Sequence, residues 1–319
     1  MSNHLKTAAF GIYRRATLPY RWWAANLARQ NRQTPLMMLY YHRVADRDPV
    51  AWSMTNAQFR KQIDWLQQNF DMVSMDELRR RMANGNSRPV IHLTFDDGYA
   101  ENCDEALPLL IERNIPCTYF VTYDHIVHQR PFEHDAKGGF DFPVNTVAEL
   151  KDLASQGIEI GAHTRTHPNM GEVHELADIY DQIVTARREL SAVLELPIRY
   201  FAFPFGMKAN LNHAAAAMAR ADGIEAVVSA YGGYNTPGDD SFHLQRCHGD
   251  PELERIRNAV TFDPRHVRKV KFHLETDGPS VEDALAYYRE RNRKPEAENT
   301  MPPVAGLPFD VRSTQCPHS

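Results

Sequence analysis

From residue 36 onward the chain alternates short apolar runs with longer amphipathic ones. Runs at 36–42, 89–95, 116–122, 158–164, 199–205, 225–230 and 242–247 have the length and content of buried strands. Between them lie helical patterns with readable boundaries. Phe59, Ile63 and Leu66 recur at helical spacing within 57–69, and Ser74 to Glu77 and Thr146 to Glu149 have the form of a capping box. Gly85 and Gly157 follow these segments as stops. Seven strands alternating with helices predict an α/β fold, a single distorted (β/α)7-type barrel domain with functional groups at the carboxyl ends of its strands. His42, Asp96, Asp97, His163, Phe205 and Gly206 all fall at such ends.

The same patterning divides the chain into a segment at 1–34, a main domain at 35–262 and an extension at 263–319. Residues 123–145 show little periodicity and are rich in aromatics, His and Gly; a connection of that length is expected to act as a lid or substrate wall. Pro295, Pro302, Pro303, Pro308 and Pro317 make the end of the extension read as a flexible tail.

Composition changes this picture only in places. The 319 residues are 43% hydrophobic and 24% charged, which excludes a disordered chain, a collagen or a coiled coil. No apolar run reaches the ~18 residues of a membrane span. Cys103, Cys117, Cys247 and Cys316 form no CxxC pair and read as reduced thiols. The net charge of −5 hides an asymmetry, because residues 1–34 carry Lys6, Arg14, Arg15, Arg21, Arg29 and Arg32 and no acidic residue. The remaining 285 residues, with 30 basic against 41 acidic side chains, stand at −11. An acidic body argues against a nucleic-acid groove.

The basic segment also carries Phe10, Tyr13, Trp22 and Trp23. Its apolar stretch is short and cut by Arg14-Arg15, so no signal peptide is recognised and a cytoplasmic location is expected. Two readings stay open: a helix or frayed end against the body, or peripheral contact with an anionic membrane.

Three segments carry candidate chemistry. In Leu93 to Tyr99 an apolar strand ends in Asp96 and Asp97 before Gly98 turns the chain, so that one carboxylate can face a metal and the other a water. An Asp-Gly turn by itself is commonly just solvated. After the strand at Ile158 comes His163-Thr164-Arg165-Thr166-His167, and two imidazoles four apart with a carboxylate make a standard catalytic zinc set. Pro168 places that pair on a loop, and alone it could equally be two surface histidines. Arg199 to Gly206 reads in isolation as a strand boundary.

Together, in this order and spacing, the three segments resemble the polysaccharide deacetylase family, the NodB-homology or carbohydrate esterase family 4 domain, over roughly residues 36–260. Thr94-Phe95-Asp96-Asp97-Gly98 matches its T-F-D-D-G motif, His163 to His167 its H-[ST]-x-x-H motif, and Arg199 to Gly206 its R-x-F-x-[YF]-P-x-G motif. The resemblance implies that Asp97, His163 and His167 bind a divalent metal, most often Zn2+. It also implies that Asp96 is the general base, that Arg199 orients it, and that the turn at Gly98-Tyr99 and Phe205 meet the substrate.

The family's usual general acid is a His in an L-x-x-H motif, but here Leu244 and His248 are one residue too far apart. Met38 to Val44, with Tyr41-His42, resembles instead the segment of poly-N-acetylglucosamine deacetylases, a subgroup with permuted strand order in which an N-terminal His enters the site. His42 is therefore the expected acid, with His248 the alternative. No clear match exists for the family's Asp that orients the acid.

The implied function is removal of N-acetyl groups from an amino sugar of a polysaccharide or lipid-linked glycan precursor, during exopolysaccharide biosynthesis. Two other readings keep the fold: an amidase or deformylase acting on a small amide, and an inactive carbohydrate-binding protein. The sequence leaves the oligomeric state open.

Overall fold

The computed structural model describes residues 3–267 and 278–293, with side chains from residue 8. The flexible tail read at 293–319 lies, from residue 294 onward, outside the described residues, as does Cys316. Each apolar run of the sequence forms a stave of one parallel sheet: β1 Leu36–Tyr41, β2 Val90–Phe95, β3 Cys117–Val121, β4 Glu159–Ala162, β5 Tyr200–Ala202, β6 Ala226–Ser229, and the pair β7 His243–Gln245 and β8 Cys247–His248. The pairing order is β7-β6-β5-β4-β3-β2-β1-β8, with the two-residue strand Asp71–Met72 added beside β2.

β7 and β8 stand at opposite ends of that path, yet only Arg246 separates them in the chain. The segment 243–248 therefore pairs with β6 through its first half and with β1 through its second, and the sheet returns on itself. Asn235 bridges the seam, donating from its backbone N–H to Leu36 O and accepting from Gln245 N–H at 2.8 Å. The described residues thus form seven staves, the distorted (β/α)7 barrel that the patterning predicts.

Strand side chains alternate between the two faces. Inward-facing Leu36, Met38, Val90, Phe120, Tyr200 and Val228 pack in one apolar cluster with Val73, Met75, Leu78 and Met82. The latter group belongs to the chain entering and forming helix α3 (Met75–Asn84), which closes the amino-terminal mouth. Outward-facing Leu39, Leu93, Tyr119, Ile160 and Phe201 join the surrounding helices in a second, larger cluster. Both faces are covered, which is why the strands read as continuous apolar runs.

The boundary signals act as their chemistry requires. Ser74 caps α3 by accepting from Glu77 N–H, Gly85 ends it at φ 85°, and Thr146 forms the reciprocal box of Val147–Ser155. A further box at Thr55–Gln58 starts the helix α2 (Asn56–Asn69). Residues 123–145 hold two short helices, Tyr123–His128 and Glu133–Lys137, and Phe132 and Phe142 from this segment are buried. Residues 1–34 are mostly one 28-residue helix, α1 (Asn3–Gln30), so the frayed end is not found there.

Gly161 is the register partner of Phe120 on the neighbouring strand, and a Cβ there would lie 2.4 Å from the Phe120 ring. Gly161→Ala is expected to cost about 1–3 kcal/mol, measured as a lower urea midpoint at unchanged slope.

His92, inside the barrel, donates through Nδ1–H to Val73 O and accepts at Nε2 from Thr118 Oγ1. Burial drives its pKa down from 6.5 to about 4, over the opposing pull of the Val73 carbonyl. Between those values the unfolded chain binds the extra proton, so the stability contributed by neutral His92 is present above pH ~6.5 and lost towards pH ~4. The urea midpoint should fall across that window, and His92→Gln should flatten the fall.

Candidate active site

The carboxyl ends of the strands form a polar layer above the apolar filling. β2 ends at Phe95, and the chain then delivers Asp96 into the barrel and turns outward at Asp97 with φ 74°. Gly98 follows at φ 92°, where a Cβ would meet Ile126 Cδ1 at 2.9 Å, so only glycine fits the turn. β4 leads to His163, and the loop beyond it is held by Thr164 Oγ1, which accepts from His167 N–H at 3.0 Å. Gln182 Oε1 accepts from both Arg165 N–H and Thr166 N–H at 3.1 Å. Thr164, His167 and Phe205 share the positive φ of Asp97. Left-handed backbone at four non-glycine residues concentrates strain at this rim.

Asp97, His163 and His167 come together, with one potential ligand atom from each lying within 4.8 Å of the others. Asp97 Oδ1 is 3.5 Å from His163 Nε2 and 3.3 Å from His167 Nε2. His163 Nδ1–H donates to Ala202 O at 2.8 Å, a bond that fixes the tautomer and turns the Nε2 lone pair towards Asp97. Burial would raise the Asp97 carboxyl, but the two imidazoles beside it hold it well below the usual range. Burial also lowers His167, despite the pull of Asp97. Asp97 Oδ1 is buried with no hydrogen-bond partner. An anionic oxygen left without a donor, beside two imidazole nitrogens, fits a divalent cation and suits no internal hydrogen bond.

Asp96 is bound by an arginine that the sequence reading does not anticipate. Arg246 Nη1 and Nη2 donate to Asp96 Oδ1 and Oδ2 at 2.6 and 2.8 Å, a bidentate charge-assisted pair with both side chains buried. Nη1 also donates to Thr94 Oγ1 and Nε to Ser229 O. The orienting role expected for Arg199 is thereby corrected. Arg199 precedes β5, at the amino-terminal mouth, where it pairs with Asp76, Glu159 and Glu225. A strand's length separates it from Asp96, and its guanidinium is committed to three carboxylates.

His42 follows β1 and His248 ends β8; because those strands are neighbours, the two rings lie 6.3 Å apart. The two candidates for the acid therefore occupy one place. His42 Nδ1 is buried without a partner. Burial, with the neighbouring His42, pushes the His248 imidazole down to about 4.

Phe205 stands on the rim, 56% exposed, with its ring 5.0 Å from His167. The Tyr99 side chain, expected to meet substrate, is buried: its ring packs on Phe132 and Phe142, and its hydroxyl donates to Asp135 Oδ2 at 2.9 Å. Tyr99 thus anchors the 123–145 segment, and only its backbone remains available to the turn. Beside His167 that segment encloses a cavity of about 570 Å3, lined by His125, Arg130, Phe132, His134, His167 and Phe205 among others.

Residues 83–227, which span these motifs, match the sequence model of the family described as polysaccharide deacetylase. The likeness to polysaccharide deacetylases thus covers the central part of the chain. The chain is 24% identical over 139 residues to a chitooligosaccharide deacetylase of Bradyrhizobium sp. (strain ANU 289), covering 43% of this chain and 55% of that one. The chain spans about half the length of the curated relatives it matches. Among solved structures, the fold superposes on the Streptococcus pyogenes deacetylase PplD in complex with acetate, with a TM-score of 0.60 at 17% identity over 72% of this chain and 99% of the other. IcaB from Ammonifex degensii gives a TM-score of 0.58 at 23% identity, over 72% and 97%.

Within this site, Arg246 and Gln182 are the residues that sequence reasoning missed. Gln182 gives no sequence signal. Arg246 had one, an Arg inside a segment that reads as a buried strand, where it is seldom placed without a buried partner. Removing it leaves Asp96 buried and unpaired. Arg246→Met is expected to destabilise by about 3–5 kcal/mol. Adding Asp96→Asn should restore part of that loss. Arg199→Met breaks part-exposed pairs worth about 0–1 kcal/mol each. Urea denaturation of the three variants tests the assignment.

Proposed function

We propose that the chain removes N-acetyl groups from an amino sugar of a polysaccharide or lipid-linked glycan precursor, as a metal-dependent hydrolase with Asp96 as general base. The observation that carries the reading is the adjacency, on one rim, of the Arg246-bound Asp96 and the Asp97–His163–His167 cluster with its unpartnered carboxylate oxygen. A divalent ion held by Asp97, His163 and His167, expected to be Zn2+, would supply Lewis acidity towards water and the acetamide oxygen.

The chain's own residues do the rest. Arg246 fixes the plane of the Asp96 carboxylate, which takes the proton of the attacking water. Gly98 N–H is spent on Asp96 O, which leaves the Tyr99 N–H for the oxyanion. The leaving amine needs a proton, because an unprotonated amine departs poorly. Burial holds His248 down at about 4, and His42, beside it on the rim with its Nδ1 unpartnered, is assigned as the donor. Phe205 offers an exposed ring to a sugar face, and the cavity beside His167 accommodates the groups next to the reacting sugar. The chitooligosaccharide deacetylase relatives support N-acetylglucosamine as the sugar, and the Tyr41-His42 segment supports a role in exopolysaccharide biosynthesis.

Acetate release from N-acetylglucosamine oligomers by zinc-loaded protein tests the reading. Asp96→Asn and His42→Ala should each lower kcat by about a hundredfold or more. Asp97→Ala should abolish stoichiometric zinc uptake in a competition titration with a chelating dye, and His248→Ala should retain most turnover. Undiminished release by Asp96→Asn would remove the assigned base, and zinc uptake without acetate release would remove the substrate.

A further inference from the structure

The structure gives α1 two unlike faces. Its inner face is fixed to the barrel. Arg21, nearly fully buried, donates to Asn258 O, Asn258 Oδ1 and Thr261 O at 2.8–3.0 Å and lies 3.8 Å from Asp263. Tyr13 Oη donates to Asp263 Oδ1 at 2.8 Å, and Asn258 Nδ2 to Phe10 O at 3.1 Å. α1 is thus a fixed part of the domain surface.

The outer face is apolar and exposed where a surface helix is normally polar. Of nine large hydrophobic side chains exposed among the described residues, six lie on α1: Ile12, Leu18, Tyr20, Trp22, Trp23 and Leu27. Trp22 is 73% exposed and Trp23 57%. Arg15 and Arg29, seven residues to either side of Trp22 and so on its stripe of the helix, are exposed and meet no carboxylate among the described residues. The face continues into a groove of about 380 Å3 that Trp23, Leu27 and Tyr20 share with Tyr234 and Phe262. Among the described residues no helix is long and apolar enough to cross a membrane.

We propose that the outer face of α1 docks the protein on an anionic lipid surface, with the helix lying in the plane of the headgroups. Tryptophan and tyrosine favour that depth, where the ring meets the acyl boundary and the N–H or O–H meets water. Basic side chains between the rings pair with anionic headgroups, and the effect is local because salt screens it beyond about 10 Å. Charge complementarity also sets orientation: six cations without an acid mark residues 1–34, and the other 285 residues, at −11, are repelled by the same surface. Phe10 of α1 and His248 line one cavity, of about 400 Å3.

Vesicle sedimentation of the full chain tests this, comparing phosphatidylcholine vesicles containing phosphatidylglycerol with phosphatidylcholine alone. Binding is expected only to the anionic vesicles, with a blue shift of tryptophan emission and a loss of binding as salt rises. Trp22→Ser with Trp23→Ser, and separately Arg15→Glu with Arg29→Glu, should each weaken partitioning by at least ~tenfold, with unchanged thermal melting showing that the fold is intact. Failure to sediment with anionic vesicles, or equal sedimentation of the tryptophan variant, would overturn the proposal. So would light scattering that shows a dimer broken by the tryptophan variant, because the face would then belong to a second copy.

Discussion

The pairing of Arg246 with Asp96 is the contact around which this barrel is organised. Two ions with no exposure to water are tolerated only when their geometry is good and their remaining donors are satisfied. Arg246 meets that condition, with both terminal nitrogens on the carboxylate and Nε on Ser229 O. The same residue separates β7 from β8, where one segment changes its partner from β6 to β1. The closure of the sheet and the orientation of Asp96 therefore depend on one side chain. A buried arginine at the seam can be satisfied only if the seam places it opposite a carboxylate.

That contact sits at a boundary between two kinds of interior. Towards α3 the barrel is filled by Leu36, Val90, Tyr200 and Val228, which need nothing from water. Towards the other rim the inward positions are Asp96, His163 and Arg246, each of which needs a partner or an ion. Left-handed backbone at Asp97, Thr164, His167 and Phe205, two to five residues beyond the strand ends, lets these chains turn away from the barrel. The apolar filling below is what supports such strain, because it fixes the strands from which the turns depart.

The helix α1 extends this economy to the outside of the molecule. Its buried arginine resembles Arg246 in using one guanidinium to hold several groups, here Asn258, Thr261 and Asp263. Its opposite face carries the tryptophans that the body leaves uncovered. A segment that composition alone marks only as basic and aromatic thereby becomes a surface with a defined direction.

The seven staves, the capped helices between them and the three motifs were legible in the sequence, since each is written in local periodicity, in turn chemistry or in a short fixed spacing. So was the cluster of Asp97, His163 and His167, because these residues lie in two compact segments at strand ends. Arg199 shows where that legibility stopped. Its place before an apolar strand is visible, but which mouth of the barrel it faces depends on where the strand begins, and it begins at Tyr200. Arg246 lies 150 residues from Asp96, and only closure of the sheet brings them within a hydrogen bond. The sequence by itself determined the elements and their chemistry, because those depend on neighbours along the chain. Which arginine holds the carboxylate, and that His42 and His248 share one corner, was decided by tertiary structure, because burial and strand order are properties of the closed sheet.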